Sequence, residues 1–145
     1  MWIIFEGLDK VGKTTLEWEF LKATNFKHVV IDRGPVGYMT FDKLFGRETK
    51  LGNEEFIHQA RKIMKSKDFM VVYCTANKDT VAARLKAYGE SCPYDYEKAQ
   101  KLYKSNVHRF YHDEKVIEID TTFLSVERCV ELIVEKFEEV QRGEL

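Results

Sequence analysis

The sequence predicts an α/β fold, a parallel sheet of about four strands flanked by helices. Three observations carry that expectation. Four short runs are largely apolar, the mark of strands buried on both faces. Stretches with apolar residues at helical spacing separate them, so consecutive strands join through crossovers and pair in parallel. A glycine-rich turn lies between the first strand and the first helix. At 145 residues the chain fits one domain around one core, and no internal repeat, low-complexity tract or linker interrupts it.

Trp2-Ile3-Ile4-Phe5 is the first strand, and residues 13–23 carry Leu16 and Phe20 at helical spacing. His28-Val29-Val30-Ile31 follows, ended by Asp32-Arg33-Gly34-Pro35. A helix starts after Pro35 and runs to about Phe45, where Gly46 stops it. Phe56, Ala60, Ile63 and Met64 mark one face of the next helix, and residues 69–74 form the third strand. Residues 78–86 are helical, with a loop around Gly89 to Pro93. Tyr103, Val107, Phe110 and Tyr111 make a further helical stripe, residues 115–119 the fourth strand, and Val126, Val130, Ile133, Phe137 and Val140 a last helix. In parallel sheets ligands bind beyond the carboxyl ends of the strands. That rule gathers residues 6–13, Asp32-Arg33, residues 75–77 and residues 120–122 on one rim.

Composition excludes several function classes. Hydrophobic residues make up 44% and charged residues 32%, ordinary for a globular domain. The net charge of −1 provides no global basic field for nucleic acid, although a local patch stays open. MWIIFEG lacks the charged and long apolar regions of a signal peptide, and no apolar run approaches the roughly 20 residues of a membrane helix. Three widely spaced cysteines, Cys74, Cys92 and Cys129, argue against a disulfide framework or zinc site and fit a reducing cytosol. A cytoplasmic protein with no membrane partner is expected.

FEGLDKVGKTT holds Gly7, four residues, then Gly12, Lys13 and Thr14, the G-x-x-x-x-G-K-[ST] pattern. It follows a strand and opens a helix, as that chemistry requires. The glycines let backbone N–H groups surround a phosphate, and the helix N-terminus adds its dipole. Lys13 then reaches the β- and γ-phosphates and Thr14 holds Mg²⁺. The fold is therefore expected to be of the P-loop NTPase type. The guanine motif N-K-x-D fails, because Asp79 comes one position early and Thr80 stands where it belongs. The switch motif D-x-x-G fails too, with Pro35 at the glycine position after Asp32. Asp32-Arg33 ends the strand expected beside the phosphate loop. The carboxylate can organise Mg²⁺ and the guanidinium can grip an acceptor phosphate; a surface ion pair closing a turn is the plainer alternative.

FEGLDKVGKTT followed by VVIDRGPVGYMTF resembles thymidylate kinase and its deoxynucleotide-kinase relatives, which read F-E-G-L-D-x-x-G-K-[ST]-T and V-V-x-D-R ahead of a helix. The likeness continues through FMVVYCTANKDTVAARL, a lid-like loop at about residues 87–95, YDYEKAQKLY and VIEID. It implies a single kinase domain serving nucleotide biosynthesis, with ATP and Mg²⁺ as cofactors. Gly7, Asp9, Lys10, Val11, Gly12, Lys13, Thr14 and Thr15 would hold ATP. Thr14 and Asp32 would serve the metal, and Arg33 the acceptor phosphate. Asp9 matches an aspartate contacting the acceptor sugar, and Tyr96 resembles a tyrosine that follows the lid, although Asp95 replaces the usual arginine before it. Residues 120–125 would border the donor adenine. One subclass places a basic residue in the phosphate loop and none in the lid. Lys10 takes that position while residues 87–97 contain no basic side chain, so the resemblance gives Lys10 the transferring phosphoryl group; a solvated lysine is the alternative.

The family's further strand and helices between the phosphate-loop helix and the D-R strand are absent, and base recognition cannot be carried over. Tyr38, Phe41, Phe45 and Arg47, or Phe56 and Arg61, are candidates, with a core role favoured for the aromatic stripe. His108 and His112 stand one helical turn apart without an evident third metal ligand. Glu6 is read as satisfying loop amides. The expected reaction moves the γ-phosphoryl of ATP to a small nucleotide, a (deoxy)nucleoside monophosphate. A hydroxyl acceptor, on a nucleoside or on a nucleotide within DNA, is the alternative, the DNA acceptor not being favoured; a non-catalytic ATP-binding module is the rival. A homodimer is left open.

Overall fold

The computed structural model describes residues 1–47, 54–66 and 68–143, apart from the side chains of residues 56, 63 and 66. Phe56, one of the base-reading candidates, therefore lies outside the described side chains. Four strands, β1 (Trp2–Glu6), β2 (Val29–Asp32), β3 (Phe69–Thr75) and β4 (Val116–Asp120), form one sheet in the order β2-β1-β3-β4. All three pairings are parallel. Among the described residues six helices connect and follow them: α1 (Lys13–Ala23), α2 (Pro35–Leu44), α3 (Glu54–Ser66), α4 (Lys78–Ala87), α5 (Tyr96–Phe110) and α6 (Val126–Gln141). This is the parallel α/β architecture that the alternating apolar runs predict.

Burial follows the strand order. Residues 69–74 of the inner strand β3 are all buried, whereas the edge strand β2 leaves Val29 exposed. On one face Phe69 packs beside Tyr111 and Tyr73 stacks on Tyr103, tying α5 to the sheet. The alternate residue Cys74 turns to the other face, toward Glu17 of α1 and Cys129 of α6, as the two-residue period of a strand requires. There α1 and α6 pack together, with Phe20 edge-on to Phe137. The turn from α1 to β2 is short, and Asn25 and Phe26 both take the left-handed backbone region within it. β2 is one of the sheet's two edge strands, directly beside β1, which leads into the phosphate loop.

Element boundaries shift slightly from the expectation. The second strand begins at Val29 rather than His28 and includes Asp32. The fourth begins at Val116, after a single 3-10 turn over Asp113–Lys115. No helix among the described residues is long and apolar enough to cross a membrane.

Candidate active site

The strand register builds the site. Phe5 lies opposite Asp32, Glu6 opposite Tyr73, and Thr75 opposite Asp120. The carboxyl ends of all four strands therefore lie on one side of the sheet, with β3 and β4 running past the ends of β1 and β2. Thr121 N–H donates to Thr75 O at 2.8 Å and Asn77 N–H to Thr122 Oγ1 at 2.7 Å, which fixes the far side of the same rim. An open cleft of about 1190 Å³ lies above it. Asp9, Lys10, Lys13, Thr14, Asp32 and Arg33 line one part, and Arg84, Tyr88, Tyr94 and Thr121 another.

The phosphate loop has the backbone its glycines allow. Gly7, Lys10 and Gly12 all have positive φ, at 148°, 65° and 98°. At Gly7 a Cβ would sit 2.6 Å from the Cys74 carbonyl oxygen, so the loop's close approach to β3 requires glycine. Lys13 is 8% exposed, and its Nζ donates to Gly7 O at 2.8 Å and Leu8 O at 3.1 Å. Burial, then the Arg33 guanidinium, push its ammonium below the ordinary lysine range. Thr14 and Thr15 are exposed at the mouth of α1, while Val11 is buried and its carbonyl accepts from Thr121 Oγ1 at 2.6 Å.

At the end of β2 Arg33 is held from two directions. Its Nη2 donates to Asp9 Oδ1 at 2.8 Å, and its guanidinium lies 4.3 Å from the Phe41 ring centroid. Its Nε is buried without a partner. Arg33 has φ 62°, unusual for a side chain with a Cβ. Glu6 accounts for the turn that holds it there. One or other Glu6 carboxylate oxygen accepts from the N–H groups of Gly34, Val36 and Gly37, each at 3.1 Å. The Tyr103 and Tyr111 hydroxyls add bonds at 2.7 and 2.6 Å. Glu6 does satisfy backbone amides, but those of the first turn of α2 rather than the phosphate loop. Burial raises its carboxyl above the ordinary value, against the bonds from Tyr111, Tyr103, Gly34 and Gly37 that lower it.

The other predicted residues divide. Tyr38 is exposed, whereas Phe41 is 6% exposed, with its ring against Phe45, Tyr94 and Tyr103 beneath Arg33. Tyr96 turns inward: it is buried and its hydroxyl donates to Ala76 O at 2.5 Å, while the neighbouring Tyr94 lines the cleft. Arg47 pairs with Asp42 and Arg61 donates to Arg109 O, so neither faces the phosphate rim. His108 contacts Asp113 and His112 contacts Arg61, and no group of three His, Cys, Asp or Glu among the described residues could hold a metal. Lys10 points its Nζ at the Tyr88 ring, 4.0 Å from the centroid.

Three contributors escape the sequence patterns. Arg84 reaches from α4 to donate to Lys10 O at 2.8 Å and Thr121 Oγ1 at 3.3 Å, bracing the phosphate loop against the β4 end. Tyr88 supplies the ring under Lys10. Glu17, one turn after Thr14, is 8% exposed and its Oε1 has no hydrogen-bond partner. Its carboxyl is raised to about 8 by burial, then by the adjacent Asp32. The Thr14 hydroxyl and the Asp32 carboxylate both line the cleft; they are hard oxygen donors, and this pair fits Mg²⁺, which takes one or two carboxylates beside substrate phosphates.

The sequence matches no family model and no curated protein. Solved structures do match it. YorR from Bacillus subtilis, in complex with phosphorylated GDP, superposes with a TM-score of 0.77 at 19% identity, covering 100% of this chain and 99% of that one. Deoxyadenosine kinase from M. mycoides, with products dCMP and dCDP bound, gives 0.63 at 18% identity over 96% and 100% of the two chains. Thymidylate kinase from Candida albicans gives 0.56 at 12% identity over 99% and 93%. The chain has the P-loop kinase fold. The resemblance read from the motifs thus extends across the whole P-loop kinase architecture of four parallel strands and covering helices.

Proposed function

We propose that this chain is an ATP-dependent kinase that transfers the γ-phosphoryl of ATP to a (deoxy)nucleoside monophosphate. The observation that carries the reading is one cleft with two anion-binding ends. Lys13 and the phosphate loop form one end; Arg33, oriented by Asp9 and with its Nε unpartnered, forms the other. A donor phosphate and an acceptor phosphate each meet a fixed cation, and the transferring group passes between them.

Phosphoryl transfer of this kind is mostly positioning and charge neutralisation. An acceptor phosphate oxygen forms a bond to the γ-phosphorus as the bond to the β–γ bridging oxygen breaks, and ADP leaves. Lys13 exchanges the Gly7 and Leu8 carbonyls for phosphate oxygens, and Lys10 leaves the Tyr88 ring to meet the moving group. Thr14 and Asp32 would hold Mg²⁺, which when bound neutralises charge on the β- and γ-phosphate oxygens. Arg33 orients the acceptor by paired charge-assisted hydrogen bonds, while Arg84 keeps the loop backbone in place.

A second reading has the likeness to a deoxyadenosine kinase in its favour: the acceptor is a nucleoside hydroxyl, and the exposed Asp32 carboxylate takes its proton. ADP release from ATP across nucleoside monophosphates, nucleosides and oligonucleotides tests both. Monophosphate-dependent ADP production is expected. None with any acceptor would leave a nucleotide-binding module and overturn the kinase reading.

A further inference from the structure

Thr121 reaches the phosphate loop across 110 residues of sequence. Its hydroxyl donates to Val11 O at 2.6 Å, with Thr75 O farther off at 3.2 Å. Arg84 Nη1 donates to the same hydroxyl oxygen at 3.3 Å and to Lys10 O at 2.8 Å. Thr121 is itself anchored, since its N–H donates to Thr75 O at 2.8 Å at the end of β3. Its methyl lies against the loop as well: a Cβ at Gly12 would be 3.4 Å from it. Side chains from α4 and from the turn after β4 thus hold two successive carbonyls of the loop.

A trans peptide points its C=O and the following N–H in opposite directions. Fixing the Lys10 and Val11 carbonyls therefore turns the Val11 and Gly12 N–H groups away from Arg84 and Thr121. Among the described residues neither N–H has a hydrogen-bond partner. Val11 is buried, so an unpaired N–H there calls for a ligand. Successive N–H groups of such a turn make an anion-binding concavity, whereas a carbonyl turned inward would repel a phosphate.

We propose that Thr121 is a positioning residue of the phosphate loop, whose hydroxyl keeps the Val11 carbonyl out of the phosphate cradle and the Gly12 N–H in it. The inference rests on the kinase reading above and adds a residue that the G-x-x-x-x-G-K-[ST] pattern does not contain. It gives Thr121 a part different from the donor-adenine border that the family resemblance implies for residues 120–125. The hydroxyl acts on the donor's phosphates through the loop backbone, and the base plays no part in it.

The test is calorimetric binding of tripolyphosphate with Mg²⁺, a ligand without base or sugar, beside a non-hydrolysable ATP analogue. Two pairs of proteins isolate the hydroxyl: wild type against Thr121→Val, and Thr121→Ser against Thr121→Ala. A hydrogen bond of this kind is typically worth about three- to tenfold in an equilibrium constant. Thr121→Val is expected to lose that factor for both ligands, and Thr121→Ser to bind both more tightly than Thr121→Ala by a similar factor. Near-UV circular dichroism establishes that each variant is folded; if Thr121→Val is not, the serine and alanine variants decide alone. Equal affinities within the deciding pair overturn the proposal and leave the kinase reading standing. A loss confined to the ATP analogue also overturns it, because Thr121 then meets the base or sugar. So does a wild type that binds the analogue but not tripolyphosphate, since its loop then holds no preformed cradle. A wild-type protein that binds neither ligand overturns both readings.

Discussion

Arg33 and Asp9 meet at 2.8 Å although they come from different loops, one closing β2 and the other inside the phosphate loop. The pair joins the β2 end of the cleft to the phosphate loop. It is partly exposed, with side-chain exposures of 29% and 59%, so it adds little to stability. Its consequence is orientation: the Asp9 bond to Nη2 and the Phe41 ring together fix the guanidinium plane where Arg33 lines the cleft.

Arg33→Lys tests that orientation. Lysine keeps the charge but loses the planar fork that grips a phosphate through two bonds. Weakening a desolvated charged contact typically costs about 2–5 kcal/mol, roughly thirty-fold and upward in acceptor efficiency. Steady-state kinetics should show that loss with a nucleoside monophosphate, and calorimetry should show ATP-analogue affinity little changed. An equal loss with nucleoside and nucleotide acceptors would move the assignment to the hydroxyl kinase.

Gly37→Ala reaches the same arginine from beneath. A Cβ at Gly37 would lie 2.1 Å from Arg33 Cγ and 2.8 Å from the Tyr103 hydroxyl. The flexible arginine gives way first and leaves Asp9. Alanine is the better helix former by about 1 kcal/mol, so lost activity need not accompany lost stability. A displacement of this size can cost on the order of 10²-fold in rate, expected here in acceptor kcat/KM with ATP binding intact. Unchanged acceptor kinetics would show that Arg33 needs no fixed position.

Much of this site was legible because its chemistry is local in sequence. The phosphate loop is one run of eight residues, Asp32-Arg33 is adjacent by covalent bond, and alternation of apolar runs predicts the parallel rim that unites them. What stayed hidden depends on contacts between distant segments. Glu6 draws its donors from positions 28, 30, 31, 97 and 105 residues away. Arg84 meets Lys10 across 74 residues, and in isolation it is one more cation on a charged helix. Tyr94 and Tyr96 occupy nearly equivalent places in the sequence; only the packing of α5 against β3 sends Tyr96 to Ala76 and leaves Tyr94 in the cleft.

Glu6→Gln should destabilise the fold and blunt acceptor use together. The amide nitrogen brings a donor into a site already surrounded by donors, leaving at least one buried N–H or hydroxyl unsatisfied at about 1–3 kcal/mol. The pH dependence has a definite sign. Because burial raises the folded carboxyl above its ordinary 4.5, the native state holds its proton to higher pH than the unfolded chain does. Stability from this group is therefore fully present below about pH 4.5 and falls as pH rises toward the folded value. The advantage of wild type over Glu6→Gln, measured by denaturant unfolding, should narrow across that window. An advantage that widens with pH would mean the five donors outweigh burial.

Lys13→Ala separates catalysis from mere nucleotide binding. In the free protein Lys13 Nζ closes the phosphate loop on itself through the Gly7 and Leu8 carbonyls. Those bonds hold a partly desolvated ammonium at the place where phosphate charge arrives, so the cation is already in position when ATP binds. An electrostatic contact preorganised for the transition state is typically worth 10²–10³ in turnover, and single-turnover phosphoryl transfer in Lys13→Ala should slow by at least about 10²-fold. Lys13→Arg should not restore it: its larger head cannot fit the same two carbonyls in a residue that is 8% exposed. Near-wild-type transfer by folded Lys13→Ala would remove this loop from the chemistry. A non-catalytic module predicts a different pattern, in which the alanine variant loses ATP affinity and neither protein makes ADP when an acceptor is added.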